Sequence, residues 1–283
     1  MQGVVALIAL GLVGLGLLSA NILGLGDKAR ALAAQVELAL FPPPDRPIED
    51  VALVTPRPSA TAVATVAPGA SETPEPEREA VTVNLYRDPE ARFITEIDHE
   101  WCAVAGVQMV IAAHGRGALT EAFQRQLAGR IDEWESRRDS RNGGWGPAAM
   151  VAALDAYGVP GYELRAYETR QDALLDAARA LETTHAPVLL LTWRGAHTWV
   201  MSGFKATADP LLFDDARVTG AYILDPWYPR ISSIWGPSDP PGTFQDQAEM
   251  KRNYLPWRRP EGAYPSRDGL FIAVVPTVVI AEP

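Results

Sequence analysis

A second cysteine is missing from this sequence: Cys102 stands alone, and only four histidines accompany it. A lone cysteine cannot close an internal disulfide, and neither a CxxC pair nor a cysteine–histidine ladder with zinc spacing is present. A basic surplus is missing too. Lys and Arg number 25 against 35 Asp and Glu, a formal net charge of −10, which argues against the basic face that a nucleic-acid partner requires. No internal repeat is apparent. Apolar residues, by contrast, make up 47% of the 283, enough to bury a sizeable core in one or two domains.

Charge is absent from one long stretch, Gly3 to Gly26, where Val, Leu, Ile, Ala and Gly dominate. About 24 residues at 1.5 Å each span the ~30 Å hydrocarbon layer. A signal peptide has a shorter apolar region behind a basic stretch, so residues 1–26 are read as an anchor. Ala31-Leu32-Ala33 resembles a small-x-small cleavage site, and cleavage there would release a secreted chain. Residues 27–79 begin as a juxtamembrane helix that Phe41-Pro42-Pro43-Pro44 ends. They continue as a Pro/Thr/Ala-rich stalk with too few apolar groups to offset its ordering entropy. Such stalks suit an extracytoplasmic location, although Lys28 and Arg30 beyond the segment would favour the cytoplasm under the positive-inside rule.

Residues 80–283 read as the globular domain. Val104, Val107, Val110 and Ile111 recur at helical spacing from Cys102 to His114, and Gly115 stops the run. Leu119 to Trp134, Pro147 to Tyr157 and Thr169 to Glu182 are further helix candidates. Val188 to Trp193, His197 to Phe204, Ala221 to Leu224 and Leu270 to Val275 are rich in β-branched and aromatic residues and read as strands. Helices first and strands second predict an α+β fold, with N-terminal helices packed on a C-terminal antiparallel sheet.

Thiol catalysis needs a stabilised thiolate, and a helix N-terminus beside an imidazolium supplies one. Cys102 opens a helix. His114 lies at a helix end as a capping residue, and His185 sits in a connection ahead of Ala186-Pro187. His99, three residues ahead of Cys102, is a candidate for lining the same cleft. His197 starts an apolar strand that anchors it, and Asp225 ends the next strand in Leu224-Asp225-Pro226-Trp227, where Pro226 favours extended geometry. If these strands pair, Asp225 can accept the imidazole N–H. A zinc site at His99, Cys102 and His197 lacks a fourth ligand and a second-shell pattern; no metal or cofactor is expected.

Trp101-Cys102-Ala103, Ala186-Pro187-Val188, the strand His197 to Phe204 and Leu224-Asp225-Pro226-Trp227, in that order, resemble the papain-like cysteine peptidase superfamily. The closest likeness is to the bacteriocin-processing, double-glycine peptidase family, over roughly Ile94 to Val275. The resemblance implies Cys102 as nucleophile, His197 as base then acid, and Asp225 as its orienting group, acting on an amide through an acyl-enzyme. Relatives usually place a Gln about six residues ahead of the nucleophile to help bind the oxyanion. Here that residue is Glu96, whose carboxylate cannot donate a hydrogen bond, and losing one such donor typically costs ~10²–10³-fold in rate. Burial could keep Glu96 protonated; the His99 or Trp101 ring N–H could substitute; or the domain could be a non-catalytic relative. The sequence gives more ground for the second and third than for the first.

The expected protein is thus a membrane-anchored, extracytoplasmic thiol hydrolase of peptide or amide bonds. The alternatives are a degenerate module that holds peptide or cell-wall fragments, and an acyltransferase using the same thiol. From Trp227 to Pro265, Tyr228, Trp235, Tyr254 and Trp257 read as either groove-lining or packing residues of a Pro-rich loop.

Overall fold

In a computed structural model, residues 52–55, 77–134, 145–258 and 266–280 are described. The membrane anchor and most of the stalk expected from the sequence lie outside them. Among the described residues no helix is long and apolar enough to cross a membrane.

Helix α1 (Cys102–Ala113) forms as its apolar spacing predicts, and Gly115, at φ +67°, ends it with its N–H on Ala112 O. Val104, Val107, Val110 and Ile111 are fully buried, each contributing roughly 1.5–3 kcal/mol of apolar burial. The segment expected as one helix to Trp134 is two: α2 (Glu121–Ala128), capped by the Thr120 hydroxyl on Phe123 N, and the short α3 (Ile131–Trp134). Gly129 caps α2, and glycine disfavours helix continuation by about 1 kcal/mol. Helix α4 (Pro147–Ala156) opens with proline in its first turn, where no N–H is needed.

The sheet is mainly antiparallel, and it takes strands from the whole domain. In chain order they are β1 (Leu53–Val54), β2 (Val81–Asn84), β3 (Tyr162–Tyr167), β4 (Val188–Thr192), β5 (His197–Ala206), β6 (Val218–Leu224), β9 (Thr243–Asp246) and β10 (Phe271–Pro276); β7 (Ile231–Ser232) and β8 (Gly236–Pro237) form a separate hairpin. The order across the sheet is β1-β3-β10-β4-β5-β6-β9, and β2 also pairs with β5. Leu53 and Val54, placed in the stalk by composition, pair in parallel with Leu164 and Arg165, because Ala52-Leu53-Val54 is apolar enough to add an edge strand.

Helices α5 (Arg170–Thr184) and α6 (Gln247–Asn253) bring the α-helices among the described residues to six. Leu189 and Leu191 of β4 join the core cluster beneath α1 and α4, whereas Val188 and Leu190 join the cluster beneath α5 and α6. A continuous apolar run therefore marks a strand covered on both faces, and the helices occupy both faces of the sheet. The architecture is mixed α and β, consistent with the α+β class expected. Gly106 lets α1 approach this sheet: a Cβ there would meet Leu189 Cδ2 and Thr198 Cγ2 at 3.2 Å.

Candidate active site

Helix α1 carries Cys102, half-buried, at its first position. No side chain caps this end and no acidic residue lies in the first turn, so the partial positive charge of the helix terminus is left uncompensated beside the thiol. Strand β5 begins at His197, and its antiparallel register with β6 sets Val200 opposite Leu224. That register leaves His197 and Asp225 at the same end of the strand pair. Nε2 of His197 donates to Asp225 Oδ1 across 2.6 Å, and both side chains are buried. Asp225 Oδ1 also accepts from Trp227 N at 2.9 Å, which fixes the carboxylate.

Two further groups come close to the imidazole. Cys102 Sγ, a ring nitrogen of His197 and a carboxylate oxygen of Glu96 all lie within 4.8 Å of one another. Burial pulls the imidazole value down, but the Asp225 carboxylate and then the Cys102 sulfur, each by charge and by hydrogen bond, hold it well above its ordinary value. With Nε2 engaged by Asp225, Nδ1 is left for the sulfur, so the imidazole is poised to carry a proton between a thiol and a reacting group.

Trp193 covers this assembly. Its ring stacks on His197 with centroids 4.0 Å apart and planes at 20°, and Trp235 stacks on its far side at 5.7 Å. Trp193 (φ +50°) and Arg194 (φ +64°) occupy the left-handed region, followed by Gly195 at φ +88°. For a bulky residue this conformation costs ~1–3 kcal/mol. The His197 stack and the bond from Trp193 Nε1 to Asn253 Oδ1 at 3.0 Å oppose that cost. Beside Trp235, Ile231 and Ile234 of the β7–β8 hairpin are exposed to 75% and 78%, giving the neighbourhood of the site an apolar rim.

Glu96 is fully buried six positions ahead of Cys102. Its N–H donates to Pro226 O at 3.0 Å, Arg230 Nη2 donates to its carbonyl at 2.8 Å, and Arg230 Nη1 donates to Oε1 at 3.0 Å. The flanking residues are held as firmly: Gln124 accepts from Ile97 N at 2.7 Å and donates to Thr95 O at 3.2 Å, and the Thr95 hydroxyl donates to Tyr228 O at 2.7 Å. Oε2 is buried without a hydrogen-bond partner. Burial drives the Glu96 acid up to about 8, outweighing the nearby His197 and Arg230 charges, while Asp225 and Asp98 add to the rise.

Of the ring donors named from the sequence, His99 is not one of the three groups in this cluster. His99 is exposed and packs on Trp227 at 5.4 Å. Trp101 is the N-cap residue of α1 and packs against the core. Of the aromatics read as groove candidates, Tyr254 and Trp257 are buried in the interior, and Tyr228 packs on Phe93. Arg230, Trp193 and Gln124 were not singled out from the sequence. Glu96, Cys102 and His197 would also suit a metal by donor type, but the Arg230 cation already on Glu96 disfavours a second positive charge there.

No protein-family model matches the chain. No curated protein matches either. Among solved structures, a double glycine motif protease from an AMS/PCAT transporter, crystallised in complex with the leader peptide, aligns at 17% identity and a TM-score of 0.33, covering 65% of this chain and 91% of that one. At that level the likeness adds nothing to the chemistry, which rests on the geometry above.

Proposed function

We propose that the protein is a papain-like thiol hydrolase that cleaves a peptide or other amide bond, held at a membrane by its N-terminal segment with the domain outside the cytoplasm. The observation that carries this reading is His197 bonded through Nε2 to Asp225 at 2.6 Å with Cys102 Sγ within 4.8 Å of a ring nitrogen. Cys102 Sγ attacks the carbonyl carbon, His197 protonates the departing amine, and water then cleaves the thioester with His197 as base. The Trp193 stack and the buried Asp225 hold the imidazole in one orientation throughout.

Incubation with p-nitrophenyl acetate tests the reading. An acetyl group on the peptide containing Cys102, with continued release of nitrophenolate, supports it. Acetylation confined to lysines, with no turnover, contradicts it and leaves a module that only holds its ligand.

A further inference from the structure

We propose that Glu96 works as a neutral carboxylic acid, donating its Oε2–H to the oxyanion formed when Cys102 attacks a carbonyl. This rests on the thiol-hydrolase reading and names the oxyanion donor that the sequence had left without a candidate of the usual kind. The argument begins with hydrogen bonds. Glu96 Oε1 is occupied by Arg230 Nη1, whereas Oε2 is buried and unpartnered. A buried bare carboxylate oxygen is costly, and here Asp225 and the Cys102 sulfur stand near it. A protonated Oε2 has instead a single unmet need, one acceptor, and the Glu96 carboxyl group reaches within 4.8 Å of the thiol sulfur that would generate that acceptor.

Position is fixed before substrate arrives. Pro226 O, Gln124 and Arg230 clamp residues 95–97 from three sides, so the donor needs no reorganisation during the reaction. The chemistry balances without a further reagent. The Sγ–C bond forms as the carbonyl π pair moves to oxygen; that oxygen accepts from Glu96 Oε2–H; the C–N bond then breaks, and the amine leaves with the His197 proton. Glu96 keeps its own proton, as carboxylic acids in apolar oxyanion sites do.

The charges facing Glu96 set the pH response. His197 from β5 and Arg230 from the segment after Trp227 favour ionisation; Asp225 at the end of β6, Asp98 and burial oppose it, and burial is the largest effect. Ionisation through about pH 8 would therefore remove the donor and set a like charge against the oxyanion, so activity falls as pH rises.

The test compares two reactions of Cys102 in the full chain. Iodoacetamide alkylates a thiolate without forming an oxyanion; p-nitrophenyl acetate acylates it through one. Their rate ratio cancels the thiolate fraction. From about pH 6 to about pH 10 the ratio should fall at least ~10-fold, should become flat in Glu96→Gln, and should stay ~10²-fold low throughout in Glu96→Ala. Arg230→Gln, which removes a charge that favours ionisation, should move the fall to higher pH. A ratio that is flat in the wild type, or that falls equally in Glu96→Gln, overturns the inference while leaving the thiol chemistry intact. Alkylation that ignores His197→Ala would overturn both.

Discussion

Replacing Glu96 with Gln should change stability in a way that depends on pH, and the size follows from the site. The acid sits at about 8 in the folded protein against 4.5 for an unperturbed side chain. Below about pH 4.5 the group is neutral in both states, so its burial carries no ionisation penalty. As pH rises the unfolded chain ionises first, and stability drains away until pH passes about 8. At ~1.4 kcal/mol per pH unit, about 3 kcal/mol of that loss falls between pH 5 and pH 8. Gln fills the same volume, can still accept from Arg230, and never ionises. Urea unfolding of wild type and Glu96→Gln, followed by tryptophan fluorescence across that range, should give a difference that grows by about 3 kcal/mol in favour of the variant. The slope is the readout, since a change in the hydrogen bond with Arg230 shifts only the offset. A difference that does not vary with pH would refute the assignment of Glu96 as a buried neutral acid.

Asp225→Ala removes the charge and the hydrogen bond that hold the His197 imidazolium; acylation of Cys102 near neutral pH should drop by about 10–100-fold, the worth of one charged hydrogen bond. A change within roughly twofold would contradict the orienting role. Gly106→Val forces side-chain atoms into Leu189 and Thr198, where even a Cβ finds 3.2 Å. Urea unfolding should register a loss of about 1–3 kcal/mol, and acylation should slow as α1 lifts Cys102 from His197. Incubation with EDTA should leave acylation within roughly twofold, whereas a loss restored by zinc would turn Glu96, Cys102 and His197 into metal ligands.

How much of this was legible in the sequence varies with how local each signal is. The start of α1 was readable because apolar spacing, a glycine stop and Cys102 lie within fourteen positions. Strands β4 and β5 were readable from their mainly apolar runs. Strand β3 was missed although Glu163 and Arg165 alternate with buried Tyr162 and Leu164, a strand signature, because the segment is short and lies between two clear helices. Helix α6 had a local signal that passed unused: Asp246, which caps Ala248 and Glu249 N–H groups, precedes Glu249 by three residues.

The site divides in the same way. His197 and Asp225 were singled out because both sit at strand ends, and strand pairing brings their side chains within hydrogen-bond distance. Arg230 is far from Glu96 in sequence and is joined to it only by the fold, so no local pattern announces it. Nor does composition signal a tryptophan held at positive φ, as Trp193 is. The sequence favoured a ring donor or loss of catalysis over a protonated Glu96. The enclosure of Glu96, the exposure of His99 and the packing of Trp101 depend on tertiary contacts that spacing does not encode.

The most direct test of the central claim is the second-order rate of Cys102 alkylation by iodoacetamide near neutral pH, in wild type and in His197→Ala. If His197 and Cys102 form a working pair, the wild-type rate exceeds that of the variant by at least ~10-fold, because the imidazolium stabilises the attacking thiolate. Equal rates in the two proteins would mean that the imidazole does not serve the thiol, and the account of this site as a thiol hydrolase would be wrong.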